Sequence, residues 1–168
     1  MELRALSRAD AERFRKLRRE GLLESPRSFG ESVAEADALP LESIAQRLES
    51  DLKENFVIGA FAENAELIGM AGFARNPRLK GRHKGLIWGV YVQPAFRGKA
   101  VGRAILLEII RRAKTLDGLD QIHLNVAVDT AAQRLYASLG FEVYGRERHS
   151  LKIEGEFVDE DLMTLFVR

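Results

Sequence analysis

The distribution of apolar residues predicts an α+β fold, a mixed and largely antiparallel central sheet with flanking helices. Three observations carry this reading. Two β-rich runs, residues 56–61 and 66–73, flank a turn at Glu63-Asn64 and make a hairpin. Two further runs, 141–149 and 157–167, close the chain as consecutive strands joined through Glu154-Gly155. Between these pairs, stretches with apolar residues at helical spacing alternate with single strands.

In order, the elements read as strand, two helices, three strands, helix, strand, helix and two strands. Residues 3–6 make a short first strand, and Ser7 can cap a helix that runs to about Glu20. Pro40 opens a second helix, with Leu41, Ile44, Ala45 and Leu48 at i, i+3, i+4 and i+7. After the hairpin, the β-branched run 86–92 is a strand that stops at Pro94. A helix follows whose apolar face is Gly102, Ile105, Leu106, Ile109, Ile110 and Ala113. Residues 121–128 alternate Ile122, Leu124, Val126 and Val128 with Gln121, His123 and Asn125, which is a strand pattern. Ala132, Leu135, Tyr136 and Leu139 mark the last helix, and Gly140 ends it.

The whole chain sets outer bounds. Its 168 residues predict a single domain over residues 1–168, large enough to bury roughly two-thirds of its unfolded surface. The absence of cysteine removes disulfides, thiolate metal sites and a cysteine nucleophile, and fits a reducing cytoplasm. Met1-Glu2-Leu3-Arg4 lacks a leader layout, and no apolar run approaches the ~20 residues that span a bilayer, so no membrane partner is expected. His83, His123 and His149 are scattered, which predicts no metal site, and no Gly-x-Ser-x-Gly elbow offers an acyl-enzyme route.

The chemistry concentrates in residues 91–107. A strand ends, a small-residue basic loop Arg97-Gly98-Lys99-Ala100-Val101-Gly102 follows, and a helix begins at once. That arrangement binds phosphate, because free N–H groups and the positive end of the helix dipole point at the anion. Charge agrees: from Leu67 to Leu107 there is no Asp or Glu, while Arg75, Arg78, Lys80, Arg82, Lys84, Arg97, Lys99 and Arg103 all fall inside. A net charge of only +1 and the lack of a nucleic-acid-binding motif rank nucleic acid below a phosphorylated small ligand. A nucleoside-triphosphatase loop would need Lys-Ser/Thr at the helix start, and a dinucleotide fold Gly-x-Gly-x-x-Gly. The chain has neither here.

Val92-x-Pro94-x-x-Arg97-Gly98-x-Ala100-Val101-Gly102 resembles the pyrophosphate-binding motif of the GNAT superfamily of acetyl-CoA-dependent N-acetyltransferases. Asp129-x-x-Ala132-x-x-Leu135-Tyr136-x-x-x-Gly140-Phe141 is similar to the family's second segment, which has Asn in place of Asp129. The chain also departs at Ala100, where the family usually has Gly. An alanine keeps the N–H but adds a methyl and disfavours positive φ, so the loop can still work if this residue is helical. Asp129 is expected mainly to cap the helix that follows.

The resemblance implies a GNAT fold with splayed central strands, here 86–92 and 121–128, and acetyl-CoA between them. It places the pantetheine arm along Val90, Tyr91 and Val92 and the pyrophosphate on Arg97, Gly98, Lys99, Ala100, Val101 and Gly102, with Asp129 nearby. Arg103 or an arginine of residues 75–82 would meet the outer phosphate. Tyr136 matches the family tyrosine that donates to the leaving sulfur, and also falls on its helix's apolar stripe. For the base, positions 84–86 hold no carboxylate, which leaves Glu35 first and His123 next, with Glu31, Glu154 and Asp159 also candidates, or water alone for an amine of low pKa. The implied function is acetyl transfer to an amine of a small molecule, peptide or protein. A catalytically weak acyl-CoA sensor is the alternative, and a homodimer stays open. The arginines of residues 13–19 read as the solvated face of an amphipathic helix.

Overall fold

In the computed structural model, which describes residues 1–49 and 53–167, one mixed sheet forms the centre. Its strands are β1 (Glu2–Ala5), β2 (Asn55–Phe61), β3 (Leu67–Arg75), β4 (Lys84–Val92), β5 (Gln121–Ala127), β6 (Glu142–Ile153) and β7 (Glu156–Phe166). They lie in the order β1-β2-β3-β4-β5-β7-β6. Each neighbouring pair is antiparallel except β4 and β5.

Alternation along β2 explains why helices cover two faces. Phe56, Ile58 and Ala60 pack into the cluster that holds α4 (Val101–Ala113) and α5 (Ala131–Ser138). Val57 and Phe61 join the opposite cluster, with α1 (Ala11–Glu24), α2 (Val33–Ala38) and α3 (Leu41–Glu49). Ile105, Leu106 and Ile109 of α4 are wholly enclosed, and each contributes about 1.5–3 kcal/mol by leaving water.

The first half departs from expectation in two ways. Three helices precede β2, the additional one being the six-residue α2. Helix α1 continues past Glu20 to Glu24, after a 3-10 turn at Arg8–Asp10 that follows Ser7. The closing hairpin is also tighter than expected. Strand β6 runs to Ile153, and Glu154 and Gly155 both take positive φ (50° and 91°), as a two-residue type I′ turn requires.

Strand β4 carries the feature that shapes the site. Its pairing with β5 lasts three residues, Lys84↔Gln121, Gly85↔Ile122 and Leu86↔His123. Beyond that β5 stays with β7, while β4 stays with β3 as far as Val92↔Gly69. Within the β3 pairing, Met70 faces Tyr91 but Gly72 faces Trp88, so β4 bulges by one residue. Gly89 sits in that bulge at φ +62°. Across from it, a Cβ on Gly72 would lie 2.1 Å from the Trp88 indole, so the ring rests directly on the glycine backbone.

At the chain start, the buried Asp10 carboxylate takes both Arg4 Nη1 and Nη2 at 2.8 Å, and the Ser7 N–H at 2.9 Å. The Arg4 bonds hold its pKa well below the usual carboxylate range, against an opposing effect of burial. Asp10→Asn should cost about 2–3 kcal/mol at pH 7, since a charged hydrogen-bond partner is lost at an enclosed site. A depressed native pKa contributes stability that is complete above about pH 4 and drains away as pH falls. Urea melts should therefore show a full gap between wild type and variant at pH 7 and a narrowed one at pH 2. A gap that is constant with pH would contradict the ion pair.

Candidate active site

The candidate phosphate loop is built as a string of unpaired donors. After β4 a 3-10 turn, Pro94–Phe96, leads into Gly98 (φ 74°), Ala100 (φ 60°) and then α4. The backbone N–H groups from Gly98 to Arg103 meet no acceptor among the described residues, and the first turn of α4 carries no acid. Residues 97–100 are exposed, so this donor row faces outward at the positive end of the helix dipole. The helical conformation under which the loop would tolerate Ala100 is not the one it adopts. Ala100 is the left-handed residue that precedes the helix, the position where glycine would carry no Cβ penalty.

The basic window is less free than its sequence suggests. Arg97 turns its guanidinium to both oxygens of Glu24 on α1, and its Nε donates to the Val92 carbonyl at 3.0 Å. Those bonds also lower the Glu24 pKa. Arg75 is buried and bonds Glu54, with Arg82 on the same carboxylate. The outer-phosphate role suggested for an arginine of residues 75–82 therefore fails for Arg75. Arg103 remains exposed, with its Nη1 on Ser138 Oγ at 3.0 Å, and Lys99 lies over the Phe96 ring.

Beyond Leu86, Val90 and Val92 lie on the stretch of β4 that β5 no longer pairs, where an extended amide chain would fit. Tyr91 points into the α1 cluster instead, and its hydroxyl donates to Glu20 at 3.2 Å. Its pKa is pushed up to about 12, first by burial and then by Glu20 and Glu24. Tyr136 is buried on α5 beside Phe141, and burial raises its pKa. Its hydroxyl has no partner among the described residues, yet it is not sealed off as Arg18 Nη1 and Thr164 Oγ1 are. Asp129 does not cap α5. Thr130 does, accepting from the Gln133 N–H at 3.2 Å, while Asp129 is an exposed left-handed residue (φ 59°).

Among the base candidates, Glu35 is committed to the N-terminus of α2. Its carboxylate takes the Ser32 N–H at 2.8 Å and the Ser32 hydroxyl at 2.7 Å, which lowers its pKa. Glu31 is paired with Arg18, and Asp159 accepts the His149 N–H at 2.9 Å. His123 bonds Gln121 Oε1, and burial first, then Lys84 and His83, lower its pKa, so it is neutral at pH 7. Glu154 is exposed at the tip of the hairpin.

Sequence reasoning missed Arg18. Instead of lying on the solvated face, it turns inward between Phe29 and Trp88 (4.8 and 5.8 Å to the ring centroids). The signal was available: Phe14, Leu17, Arg18, Gly21 and Leu22 fall at i, i+3, i+4, i+7 and i+8, on one helix face. Arg18 borders a cavity of about 490 Å³ between α1–α3 and β2–β4 that Trp88 also lines.

An interrupted parallel pair that opens onto a helix N-terminus with free donors is the arrangement that the GNAT resemblance implies for an acyl-CoA-dependent acyltransferase. Comparison with known proteins makes this specific. The family model for the acetyltransferase (GNAT) family matches residues 19–141. N-alpha-acetyltransferase RimI of Mycobacterium tuberculosis is 31% identical over 155 residues, 90% of this chain and 84% of the relative. A GNAT-family acetyltransferase structure from Streptococcus pneumoniae superposes at TM-score 0.88, with 23% identity and 98% of each chain covered. The yncA structure from Salmonella typhimurium, solved with its cofactor acetyl-CoA, superposes at TM-score 0.82 with 25% identity, covering 100% of this chain and 94% of the other. The chain belongs to the GNAT acetyltransferase family and is an N-acetyltransferase. The sensor alternative draws no support from these relatives, and no helix among the described residues is long and apolar enough to cross a membrane.

The loop conformation yields a paired stability test. Ala100→Gly removes a left-handed Cβ and should stabilise by about 1 kcal/mol, or roughly 2–4 °C in Tm. Gly98→Ala meets no atom within 4 Å but adds the same backbone strain, so it should destabilise by a similar amount. Thermal melts check both; a lower Tm for Ala100→Gly would rule out the left-handed assignment.

Proposed function

We propose that this enzyme transfers an acetyl group from acetyl-CoA to the α-amine of an acceptor, by direct attack with both substrates bound. The observation that carries this is the end of β4–β5 pairing at Leu86, which opens a gap running out to the unpaired N–H groups that lead into α4. In this reading the N–H groups of Gly98 to Gly102 take the diphosphate, and the stretch Val90–Val92 takes the amide-bearing arm in place of a strand neighbour. Bound there, acetyl-CoA supplies an acyl group activated as a thioester. The name of the mycobacterial relative, an N-alpha-acetyltransferase, supports an α-amine as acceptor.

In the overall reaction a C–N bond replaces the C–S bond, the nitrogen gives up one proton and the sulfur gains one. Tyr136 is assigned to the sulfur. Burial keeps its phenol protonated beyond the ordinary tyrosine range, so it remains a hydrogen-bond donor at neutral and mildly alkaline pH. Glu35 is unsuited to take the nitrogen's proton, because its carboxylate is exposed, already bonded to Ser32 and a weaker base than an ordinary glutamate. An acceptor that enters uncharged loses its proton to solvent water.

A thermal melt with acetyl-CoA at about 100 times Kd should show roughly 2.7 kcal/mol of stabilisation, a Tm rise of about 5–10 °C. A flat response would sink the proposal. Tyr136→Phe should keep that rise while kcat falls about 100-fold. Because the native pKa is raised, wild-type activity should show no loss from this group up to about pH 10. Unchanged kcat in Tyr136→Phe would remove the tyrosine from the reaction.

A further inference from the structure

Resting on the acetyltransferase reading, we propose that the acceptor is a free α-amino acid with a large apolar or aromatic side chain. Its carboxylate binds Arg18 beside Gly89, and its side chain fills the cavity between α1–α3 and β2–β4. The first observation is an unspent donor. Arg18 gives Nε (3.0 Å) and Nη2 (2.9 Å) to one oxygen of Glu31, while Nη1 is fully enclosed with no partner among the described residues. Buried guanidinium N–H groups are costly to leave unmatched, and the matching group for a planar cation is a carboxylate. Nη1 is also located: a methyl built on Gly89 would lie 2.7 Å from it. The donor therefore faces the β4 bulge, past the point where β4 leaves β5.

The cavity supplies the second half of the specificity. At about 490 Å³ it lies in the range of small-molecule sites, and Phe14, Leu39, Ile44, Val57, Phe73 and Trp88 give it an apolar wall. Of the cations that border it, Arg18 and Arg19 face the carboxylates Glu31 and Asp37, and Arg15 adds a further positive charge. Cations around an apolar interior favour an anionic ligand with an apolar body and disfavour polyamines. An α-amino acid meets every requirement in one small molecule. Its nitrogen is one carbon from the carboxylate, so fixing the carboxylate at the bulge brings the amine to the open edge of β4. There the nitrogen lone pair forms the new bond to the acetyl carbon as the C–S pair leaves with sulfur. The nitrogen's proton goes to solvent, and sulfur ends as the thiol.

The test compares L-phenylalanine, phenethylamine, L-alanine, L-phenylalaninamide and a pentapeptide beginning with Phe as acceptors, by thiol release from acetyl-CoA. L-Phenylalanine should exceed phenethylamine and L-alanine in kcat/KM by at least about tenfold. Arg18→Gln should raise KM for L-phenylalanine about 10- to 100-fold, a much larger loss than for phenethylamine, and keep the Tm rise with acetyl-CoA. Arg18→Lys should recover part of the loss. Equal use of phenethylamine, or better use of the amide or the pentapeptide, overturns the carboxylate assignment. Equal use of L-alanine overturns the side-chain cavity. If Arg18→Gln does not fold, the wild-type comparison decides by itself. No transfer to any of these amines, with the Tm rise intact, defeats the acceptor assignment alone. A protein that acetyl-CoA does not stabilise defeats the acetyltransferase reading as well.

Discussion

The candidate site depends on one constraint: β4 and β5 pair for three residues and then separate. In the middle of a sheet, each N–H and C=O along the two diverging edges gives up a partner, which is costly unless something else supplies one. Separation is affordable because each strand is secured on its other side, β4 by β3 and β5 by the full length of β7. The apolar layers follow the same division. Tyr91 and Met70 belong to the α1–α3 cluster, whereas Ile122, Leu124 and Val126 of β5 pack with α4 and α5. Helix α4 bridges beneath both halves, because Ile105, Leu106 and Ile109 share a cluster with Ile87 of β4 and with β5. Delivery of the α4 N-terminus to the mouth of the gap is therefore a consequence of core packing.

Electrostatics at this mouth is settled by residues far away in sequence. The acid-free window looked like a large positive field, but Glu24 and Glu54 reach in and bind Arg97, Arg75 and Arg82. What stays available toward an anion at the loop is its row of backbone N–H groups, with Lys99 and Arg103 exposed beside it. Fixed N–H groups on a helix start need no side-chain ordering and are insensitive to pH, unlike mobile cations. Arg97 also works on the architecture: by joining Glu24 and the Val92 carbonyl, it ties the end of β4 to the end of α1.

The parts of the fold that were legible are those whose burial leaves a simple pattern. Residues 56–61 and 67–73 are continuous apolar runs because helices cover both faces, 121–128 alternates, and α4 repeats at helical spacing because one of its faces is buried. Strand β6 was read four residues short because it is an edge strand exposed along most of its length, so nothing forces an alternation. Helix α2 was missed because its six residues bury only Ala36, although Ser32-x-x-Glu35 is a capping-box pattern. Glu35 drew notice as a base because it lies in the helical region before the sheet, where a carboxylate looks alike whether it caps or catalyses. The left-handed Ala100 and Asp129 were beyond local reading. Their neighbours hold them there, and neither residue type advertises positive φ as glycine does.

Arg18 shows where counting charges fails and where periodicity would have succeeded. It sits on the apolar stripe of α1, so burial of that stripe carries a guanidinium inward with it. One carboxylate, Glu31, meets two of its donors, and the aromatic faces of Phe29 and Trp88 accept part of the remaining charge. Neither satisfies Nη1. A leucine or methionine at this position would complete the α1 core without the roughly 1–3 kcal/mol that an enclosed unpaired donor costs. Thr164 Oγ1, also enclosed and unpaired, carries no charge, and its loss is correspondingly smaller. The penalty at Arg18 is thus concentrated on one atom, beside the one glycine of β4 with positive φ and against the ring that lines the cavity. Strain of two kinds, an unmet donor and a forced bulge, converges on the place where the sheet opens. Such convergence is what a structure optimised for stability alone would remove, and it is what a binding site for an oxygen-bearing anion retains.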